Sequence, residues 1–362
     1  MIRPRILCYA VDGLGLGHLT RVLAIARQLR SLAPNAEIIF LTSNEAAAFC
    51  LREGFAAFKV PSHAARETGR LRPSLHAKLV QSVTWSLVAS FDPHLLLVDS
   101  FPAGALQEIL PLLRWSMARV FIYRERQKDT AADPYFQNLL THYHLAIIPH
   151  QPGELDLPLP EGLGACAVGP ILLRDRGDAL PRDVARRSLV GEDDGRQLCY
   201  VNFGGGGDKA AREALATTLS VLAHHPDIRP VVAPGPLGEE IVVIPSGGLV
   251  ARIYPIAPYF TGIDFAISAA GYNSHAELLH FGVPTAFLPF DKGIDDQLAR
   301  VARTVAAGAG LAVRSLASDE LKAALAQLRD SACQRGLSES GQRLVSTNGA
   351  RLAAQKVLEL LR

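Results

Sequence analysis

The chain has 362 residues, which is enough for two domains of ordinary size. Hydrophobic residues make up 49% and charged residues 20%, which excludes a globally disordered chain. The 37 basic and 35 acidic residues leave a net charge of +2, which argues against nucleic-acid binding through bulk charge. The first apolar run ends at Asp12, too early for a signal peptide, and five scattered cysteines lack a Cys-x-x-Cys pair. We therefore expect a cytoplasmic protein.

The first half of the chain alternates between short apolar runs and helix-length segments. Residues 5–10 form an apolar run typical of a strand that is buried on both faces. A glycine cluster follows, and apolar residues then recur at helical spacing from Leu19 to Leu29. Further strand-like runs lie at 37–42, 95–99, 120–123 and 145–148. This alternation predicts an α/β fold with a parallel sheet and helices on both faces.

Two unusual stretches interrupt the pattern, one rich in Pro and Gly at 149–164 and one charged at 174–196. A second series of strand-like runs then lies at 198–203, 229–233, 250–254, 265–268 and 285–288. Two Rossmann-like domains explain this repetition. We predict an N-terminal domain at 1–170, a linker at 171–196 and a C-terminal domain at 197–345. A terminal helix at 346–362 follows, and the sequence leaves its place open.

A glycine-rich turn follows the first predicted strand. Residues 12–21 read DGLGLGHLTR, so that Gly15 and Gly17 precede His18 and Arg21. Glycines at the carboxyl edge of a parallel sheet let the backbone approach a ligand closely. A neutral imidazole in the first turn of a helix can take a proton from a hydroxyl group. The alternative is a tight turn with a capping or surface histidine, and the missing last glycine of GxGxxG disfavours a dinucleotide site.

Four consecutive glycines follow the first strand of the second predicted domain. The backbone N–H groups of Gly204, Gly205, Gly206 and Gly207 are suited to cradle an anion. A flexible turn is the alternative interpretation. No Gly-Lys-Ser/Thr follows, which excludes a P-loop, and we expect Asp208 to cap the next helix.

The segment 269–297 is the most informative part of the sequence. It reads AAGYNSHAE at 269–277, FGVP at 281–284 and DDQ at 295–297. A capping box of Ser274 and Glu277 would account for those two residues alone. The segment resembles the GWNSxxE core and the following Gly-Val-Pro and acid–Gln pair of UDP-glycosyltransferases. From 253 to 289 it also resembles glycosyltransferase family 28, the peptidoglycan N-acetylglucosaminyltransferase family, whose N-terminal glycine loop is similar to the turn at 15–21.

This resemblance implies the GT-B fold, in which two Rossmann-like domains face each other across a cleft. It implies inverting transfer of a sugar, including N-acetylglucosamine as a candidate, from a UDP- or dTDP-linked donor to an acceptor hydroxyl. Glu277 would then bind the ribose hydroxyls, the backbone near Ile253 would read the base, and Asp296 and Gln297 would bind the sugar. The residues that would hold the diphosphate are Gly204, Gly205, Gly206, Gly271, Asn273 and Ser274.

The resemblance also implies roles on the acceptor side. His18 would be the general base or an acceptor-orienting residue, next to Gly15, Gly17 and Arg21. Asp99, at the end of a predicted strand, would orient His18, although it would serve equally as a turn cap. No metal or other cofactor is expected, because such enzymes hold no metal tightly and no metal-ligand spacing occurs in the sequence.

One position departs from the plant-type pattern. Ala269 stands where those transferases have a histidine, so that backbone amides, Ser274 or His275 would have to stabilise the diphosphate. We expect His275 on the solvent side of its helix rather than as a ligand.

The acceptor stays open between a lipid-linked molecule and a small molecule. Arg66, Arg70, Arg72 and Lys78 would face an anionic lipid at the inner membrane surface or a phosphorylated acceptor, or would form a solvated surface. The Gly-x-Gly-His-x-x-Arg turn also resembles UDP-sugar hydrolases of pseudaminic acid synthesis, which use water as the acceptor. A hydrolase, a GT-B epimerase and an inactive nucleotide-sugar-binding protein therefore stay as alternatives, and nucleic acid is not expected as a partner.

Overall fold

The computed structural model describes residues 3–11, 15–99, 101–204, 209–234, 244–291, 295–315 and 318–362. The chain divides into two compact units. Unit 1 comprises Met1–Leu173 and Asn348–Arg362, and unit 2 comprises Arg174–Thr347.

Unit 1 is built on a parallel sheet, as the alternating pattern predicts. Its strands are β1 (Arg5–Ala10), β2 (Glu37–Thr42), β3 (Ala56–Lys59), β4 (Leu95–Asp99), β5 (Ala118–Ile122), β6 (Leu145–Ile148) and β7 (Gly164–Ala167). Its first helices are α1 (Gly17–Leu32), α2 (Ala48–Arg52), α3 (His63–Thr68), α4 (Pro73–Phe91), α5 (Lys128–Ala131) and α6 (Pro134–Leu140). The apolar residues of α1 at helical spacing are buried against this sheet, which is the arrangement that their periodicity indicates.

The strand order of unit 1 fixes where a ligand can bind. The order is β3-β2-β1-β4-β5-β6-β7, with every pair parallel. The connections reverse direction between β1 and β4, whose central residues Leu7 and Leu96 pair directly. In such sheets the loops after these two strands diverge and leave a crevice at the switch point.

Unit 2 repeats this plan with a smaller sheet. Its strands are β8 (Gln197–Asn202), β9 (Ile228–Val232), β10 (Leu249–Val250), β11 (Phe265–Ala269), β12 (Thr285–Leu288) and β13 (Leu311–Ala312). Its helices are α7 (Arg182–Val190), α8 (Lys209–Leu222), α9 (Tyr272–His280), α10 (Gln297–Ala306), α11 (Ser318–Arg329) and α12 (Ser331–Leu344). The order β10-β9-β8-β11-β12-β13 places the second switch point between β8 and β11.

The segment predicted as a linker, 171–196, belongs largely to unit 2 instead. Arg174 is the first residue of that unit, and α7 packs against a 3₁₀ turn at Ala257–Gly262. Arg186 of α7 is buried and donates to Asp193 at 2.6 Å and to Asp264 at 3.0 Å. The charged residues of this segment thus form ion pairs that hold α7 in place. A solvated linker would have the same composition, so composition alone does not predict this helix.

The terminal helix, whose place the sequence leaves open, returns to unit 1 as α13 (Ala350–Glu359) and packs on α1. The amide of Asn348 accepts from the backbone N–H of Leu172 at 3.1 Å and donates to its carbonyl at 2.9 Å. A Cβ at Gly349 would lie 2.4 Å from the carbonyl oxygen of Val168, so this close approach requires glycine.

Candidate functional site

The switch point of unit 1 brings His18 and Asp99 together. His18 lies in the first turn of α1, directly after β1, and Asp99 is the last residue of β4. His18 Nδ1 lies 3.4 Å from Asp99 Oδ1. The ring of His18 also lies against Phe101, with 5.8 Å between the ring centroids. The parallel register of β1 and β4 is the cause of this proximity.

Arg21 makes the shorter contacts in this cluster. Its Nε donates to Asp99 Oδ2 at 3.0 Å and its Nη2 to Asp99 Oδ1 at 3.2 Å, while the same Nη2 lies 3.1 Å from His18 Nδ1. The residues His18, Arg21 and Asp99 are 8%, 2% and 0% exposed. A guanidinium fork on a carboxylate is the arrangement that satisfies two buried opposite charges. The structure thus places the Arg21 side chain on Asp99, whereas the sequence grouped it with the glycine loop.

Packing explains only in part why glycines precede His18. The carbonyl of Gly15 accepts from the Asn44 amide at 2.6 Å, which ties the turn to the end of β2. Gly17 begins α1, and a Cβ there would lie 3.8 Å from an Arg21 nitrogen, an ordinary contact. Packing therefore does not require glycine at 17, and close approach of a ligand stays a prediction. The rest of the motif, 12–14, lies outside the described residues.

Asn202 is the central side chain at the switch point of unit 2. It ends β8, and its Oδ1 accepts from the backbone N–H of Gly204 at 2.8 Å. Its Nδ2 lies 3.3 Å from Ser274 Oγ and 3.0 Å from the hydroxyl of Tyr200. Asn202 therefore connects the start of the glycine run to the first turn of α9. Gly205 and Gly206 lie outside the described residues.

The first turn of α9 excludes the capping box that was the alternative interpretation of Ser274 and Glu277. The helix begins at Tyr272 with Gly271 as its N-cap, so Ser274 lies inside the helix and its hydroxyl contacts Asn202 instead. Gly271 has no side chain with which to accept from the first N–H groups of the helix. Asn273 is half-buried in the same turn. This geometry suits an anion at the helix N-terminus.

His275 is buried, which contradicts its predicted position on the solvent side. Its Nε2 lies 2.7 Å from Thr304 Oγ1, and its ring packs on Phe287 at 4.8 Å between centroids. Because α10 lies against this face of α9, the fourth residue of the helix points inward. His275 therefore joins α9 to α10 and to the sheet.

Glu277 is half-buried one turn further along α9. Burial raises the pKa of its carboxyl group to about 7, and the positive charge of Arg174 opposes that increase. Burial, with Glu277 as a further cause, also raises the pKa of the Tyr200 hydroxyl. Ionised, Glu277 offers two oxygens that can accept from a pair of neighbouring hydroxyls.

The acid–Gln pair at the start of α10 has internal partners. Asp296 is the N-cap and accepts from the backbone N–H of Ala299 at 3.0 Å. Gln297 is 5% exposed, accepts from the Phe290 N–H at 3.0 Å and donates to Asp295 at 3.2 Å. Both predicted sugar ligands thus organise the turn after β12, and their contact with a sugar stays a prediction.

Arg300 makes further hydrogen bonds near the start of α10. Its guanidinium donates to the carbonyl of Ala270 at 2.7 Å and to Asp295 at 2.7 Å. It is 4% exposed and therefore fixes the start of α9 relative to α10. The remaining predicted donor residue, Ile253, is half-buried shortly after β10.

The basic residues on the predicted acceptor side differ in burial and in pairing. Arg66 is half-buried and pairs with Glu67 at 3.1 Å. Arg70, Arg72 and Lys78 are exposed near and along α4. Among the residues that the structure describes, no helix is long and apolar enough to cross a membrane.

Sequence reasoning missed three residues that shape these sites: Asn202, Arg174 and Arg300. A usable signal existed for Asn202, because a polar residue ending a buried strand at a switch point is a frequent ligand or loop anchor. Arg174 acts on Glu277, and Arg300 donates to the carbonyl of Ala270; both partners are distant in sequence, so no spacing pattern marks these contacts.

Comparison with known proteins agrees with this geometry. Residues 250–357 match the family model described as the glycosyltransferase family 28 C-terminal domain, and this range includes α9, β12 and α10. No curated protein matches the chain. Solved structures match over the whole length, including the spinosyn forosaminyltransferase SpnP, at 14% identity and a TM-score of 0.70 with 100% of both chains covered. The chain has the GT-B fold.

Two further structures show the same likeness. CalG4, the calicheamicin glycosyltransferase, matches at 16% identity and a TM-score of 0.67, with 100% of this chain and 99% of that chain covered. SsfS6 of Streptomyces sp. SF2575, solved with thymidine diphosphate, matches at 17% identity and a TM-score of 0.64, with coverages of 99% and 100%. The predicted resemblance to GT-B glycosyltransferases, and to family 28 in particular, is confirmed.

Proposed function

We propose that this chain is a glycosyltransferase that moves a sugar from a UDP- or dTDP-linked donor to an acceptor hydroxyl, with inversion and without a bound metal. The match of residues 250–357 to the family 28 C-terminal domain carries the proposal, since it spans Gly271, Ser274 and Glu277. The thymidine diphosphate bound to SsfS6 supports including dTDP among the donors.

In this proposal unit 2 binds the donor at its switch point. The diphosphate lies at the start of α9, where N–H groups and the positive end of the helix favour a negative charge. Asn202 holds Gly204 and Ser274 in place around it. Glu277 accepts hydrogen bonds from the ribose hydroxyls, and this role requires its ionised form.

His18 of unit 1 acts on the acceptor. The bond between the anomeric carbon and the diphosphate oxygen breaks while a bond to the acceptor oxygen forms on the opposite face. The acceptor proton passes to the imidazole, and the nucleoside diphosphate leaves with the bonding electron pair. Donors at the start of α9 stabilise the charge of the leaving group.

A thermal-shift panel with UDP, dTDP, GDP, ADP and NAD, each with and without EDTA, tests the donor class. At a hundred times its Kd a ligand adds about 2.7 kcal/mol to the free energy of unfolding. We expect UDP or dTDP to stabilise the protein equally with EDTA present. Stabilisation by NAD alone, or loss of the effect with EDTA, contradicts the proposal.

The variant Glu277→Ala tests the residue assignment in the same assay. Loss of hydrogen bonds to a charged group costs about 1.5–3 kcal/mol, so we expect UDP or dTDP to bind at least about tenfold more weakly. Glu213→Ala is the matched control, because Glu213 is an exposed carboxylate of α8 in the same unit. Equal affinity of both variants contradicts the assignment.

Donor consumption separates transfer from hydrolysis. Purified protein is incubated with UDP-N-acetylglucosamine or dTDP-deoxysugars, with and without a panel of hydroxyl-bearing acceptors, and nucleoside diphosphate release is measured. We expect release that depends on an acceptor. Rapid release in water alone would identify the hydrolase alternative.

A further inference from the structure

We propose that Arg21 is a positioning residue that fixes the protonation pattern of His18. In the resting protein it keeps Nδ1 of His18 as a hydrogen-bond acceptor and so leaves the ring proton on Nε2. The inference builds on the proposed function, because that function gives His18 its task on the acceptor hydroxyl. It goes further by naming the group that decides whether His18 donates or accepts a proton.

The guanidinium group of Arg21 has five N–H donors and no acceptor. Arg21 Nη2 lies 3.1 Å from His18 Nδ1, within the ordinary range for a hydrogen bond. This contact is a hydrogen bond only if Nδ1 carries no proton. A neutral imidazole has one N–H, which must then be at Nε2.

Among the described residues, Asp99 also lies near Nδ1, and its geometry is poorer. The distance from Nδ1 to Asp99 Oδ1 is 3.4 Å, beyond the usual upper limit of about 3.2 Å for N–H···O bonds. Both carboxylate oxygens already accept from the Arg21 fork, at 3.0 and 3.2 Å. Asp99 is therefore held primarily by Arg21, and the simple His–Asp pair expected from the sequence becomes a three-residue cluster.

The cluster has a consequence for the acceptor step. With its proton on Nε2, His18 donates to an acceptor oxygen and orients it, but cannot remove its proton at that nitrogen. To act as a base, the ring must lose the Nε2 proton to solvent and gain one at Nδ1, where Asp99 then accepts from it. Arg21 thus holds the resting ring in the form that does not activate water.

The test is ¹⁵N NMR of the full-length protein labelled at histidine, with the His18 signals assigned by their loss in His18→Gln. Protonated and unprotonated ring nitrogens differ strongly in chemical shift. We expect an unprotonated Nδ1 and a protonated Nε2 in the neutral ring. The Asp99→Asn variant should keep this pattern, whereas Arg21→Met should move the proton to Nδ1.

A wild-type spectrum with a protonated Nδ1 overturns the proposal, as does an unchanged pattern in a folded Arg21→Met protein. If both variants fail to fold, the wild-type spectrum still shows which ring nitrogen carries the proton. The measurement needs no substrate, so its failure is distinct from failure of the proposed function. A protein that consumed no donor would refute the transferase proposal and leave the tautomer assignment intact.

Discussion

The two switch points share one strand order but differ in chemistry. After β1 and β4, unit 1 holds a buried ion pair of Arg21 and Asp99 in contact with His18. After β8 and β11, unit 2 holds the amide of Asn202, the hydroxyl of Ser274 and the start of α9. The same backbone plan therefore presents a cluster of charged and imidazole side chains in one unit and neutral hydrogen-bonding groups in the other.

The two sites differ in how much their side chains contribute to the stability of the fold. Removing one partner of a buried ion pair leaves an unpaired charge, so Asp99 and Arg21 are needed for stability as well as for placing His18. Removing a neutral amide leaves no unpaired charge and costs only about 1 kcal/mol for each hydrogen bond lost. Changes in unit 1 should therefore affect turnover and folding, and changes in unit 2 should mainly affect ligand affinity.

The variant His18→Ala should have the largest effect. A positioned proton-transfer group contributes about 10²–10⁴-fold to rate, so we expect kcat to fall by that factor. The thermal shift produced by UDP or dTDP should stay unchanged, because the proposed donor site is in unit 2. His63→Ala is the control, since that histidine is exposed on α3 of the same unit. Equal turnover of the two variants would contradict the role of His18.

The variant Asp99→Ala should cost about 3–5 kcal/mol of unfolding free energy, because it leaves the Arg21 charge buried and unpaired. Urea unfolding followed by circular dichroism measures this loss. Glu67→Ala removes an exposed carboxylate of unit 1, and its surface pairs are worth at most about 1 kcal/mol. A loss for Asp99→Ala no greater than for this control would show that the cluster is not a buried ion pair in solution.

Donor affinity should rise with pH through Glu277. With a pKa of about 7 in the free protein, its ionised fraction rises from about a tenth at pH 6 to about nine-tenths at pH 8. Ribose hydroxyls bind the ionised form, so binding releases a proton and Kd for UDP should fall up to about ninefold over this interval. The variant Glu277→Gln lacks this ionisation. Calorimetry of both proteins therefore separates the contribution of Glu277 from titration of the nucleotide. An equal pH dependence in both proteins would contradict the assignment.

The variant Asn202→Ala should have the smallest effect, confined to the diphosphate. Loss of one net hydrogen bond is worth about 1 kcal/mol, or about fivefold in affinity for UDP or dTDP. Affinity for the nucleoside without phosphates should not change. Gln327→Ala, an exposed amide of α11, is the matched control. Equal weakening of nucleoside and nucleotide would indicate general loss of structure instead.

Much of the fold follows from local patterns. The apolar runs at 5–10, 37–42 and 95–99 coincide with β1, β2 and β4, because a strand buried on both faces has few polar residues. The periodic segment from Leu19 to Leu29 lies within α1. These patterns report burial, which is a property of each segment, and they were sufficient to predict two Rossmann-like units, whereas the GT-B fold was implied by the resemblance of the segment 269–297 to known glycosyltransferases.

Other predictions failed where a distant partner decided the outcome. The capping box weighed as the alternative for Ser274 does not form, because the helix begins three residues earlier than that box requires and Ser274 bonds to Asn202. His275 faces inward because α10 covers its side of α9. Arg186 turns a stretch of high charge into a packed helix by pairing with Asp264. Spacing along the chain does not encode these contacts.

Local patterns were enough to predict most of the strands and the glycines and polar residues at their carboxyl ends. Which of those polar residues meet depends on the tertiary structure. Arg21 and Asp99 lie on a helix and a strand that are distant in sequence, and the parallel pairing of β1 with β4 brings them to bonding distance. Local patterns follow from burial of each segment, whereas a site depends on strand order, because order alone sets which loop ends are neighbours.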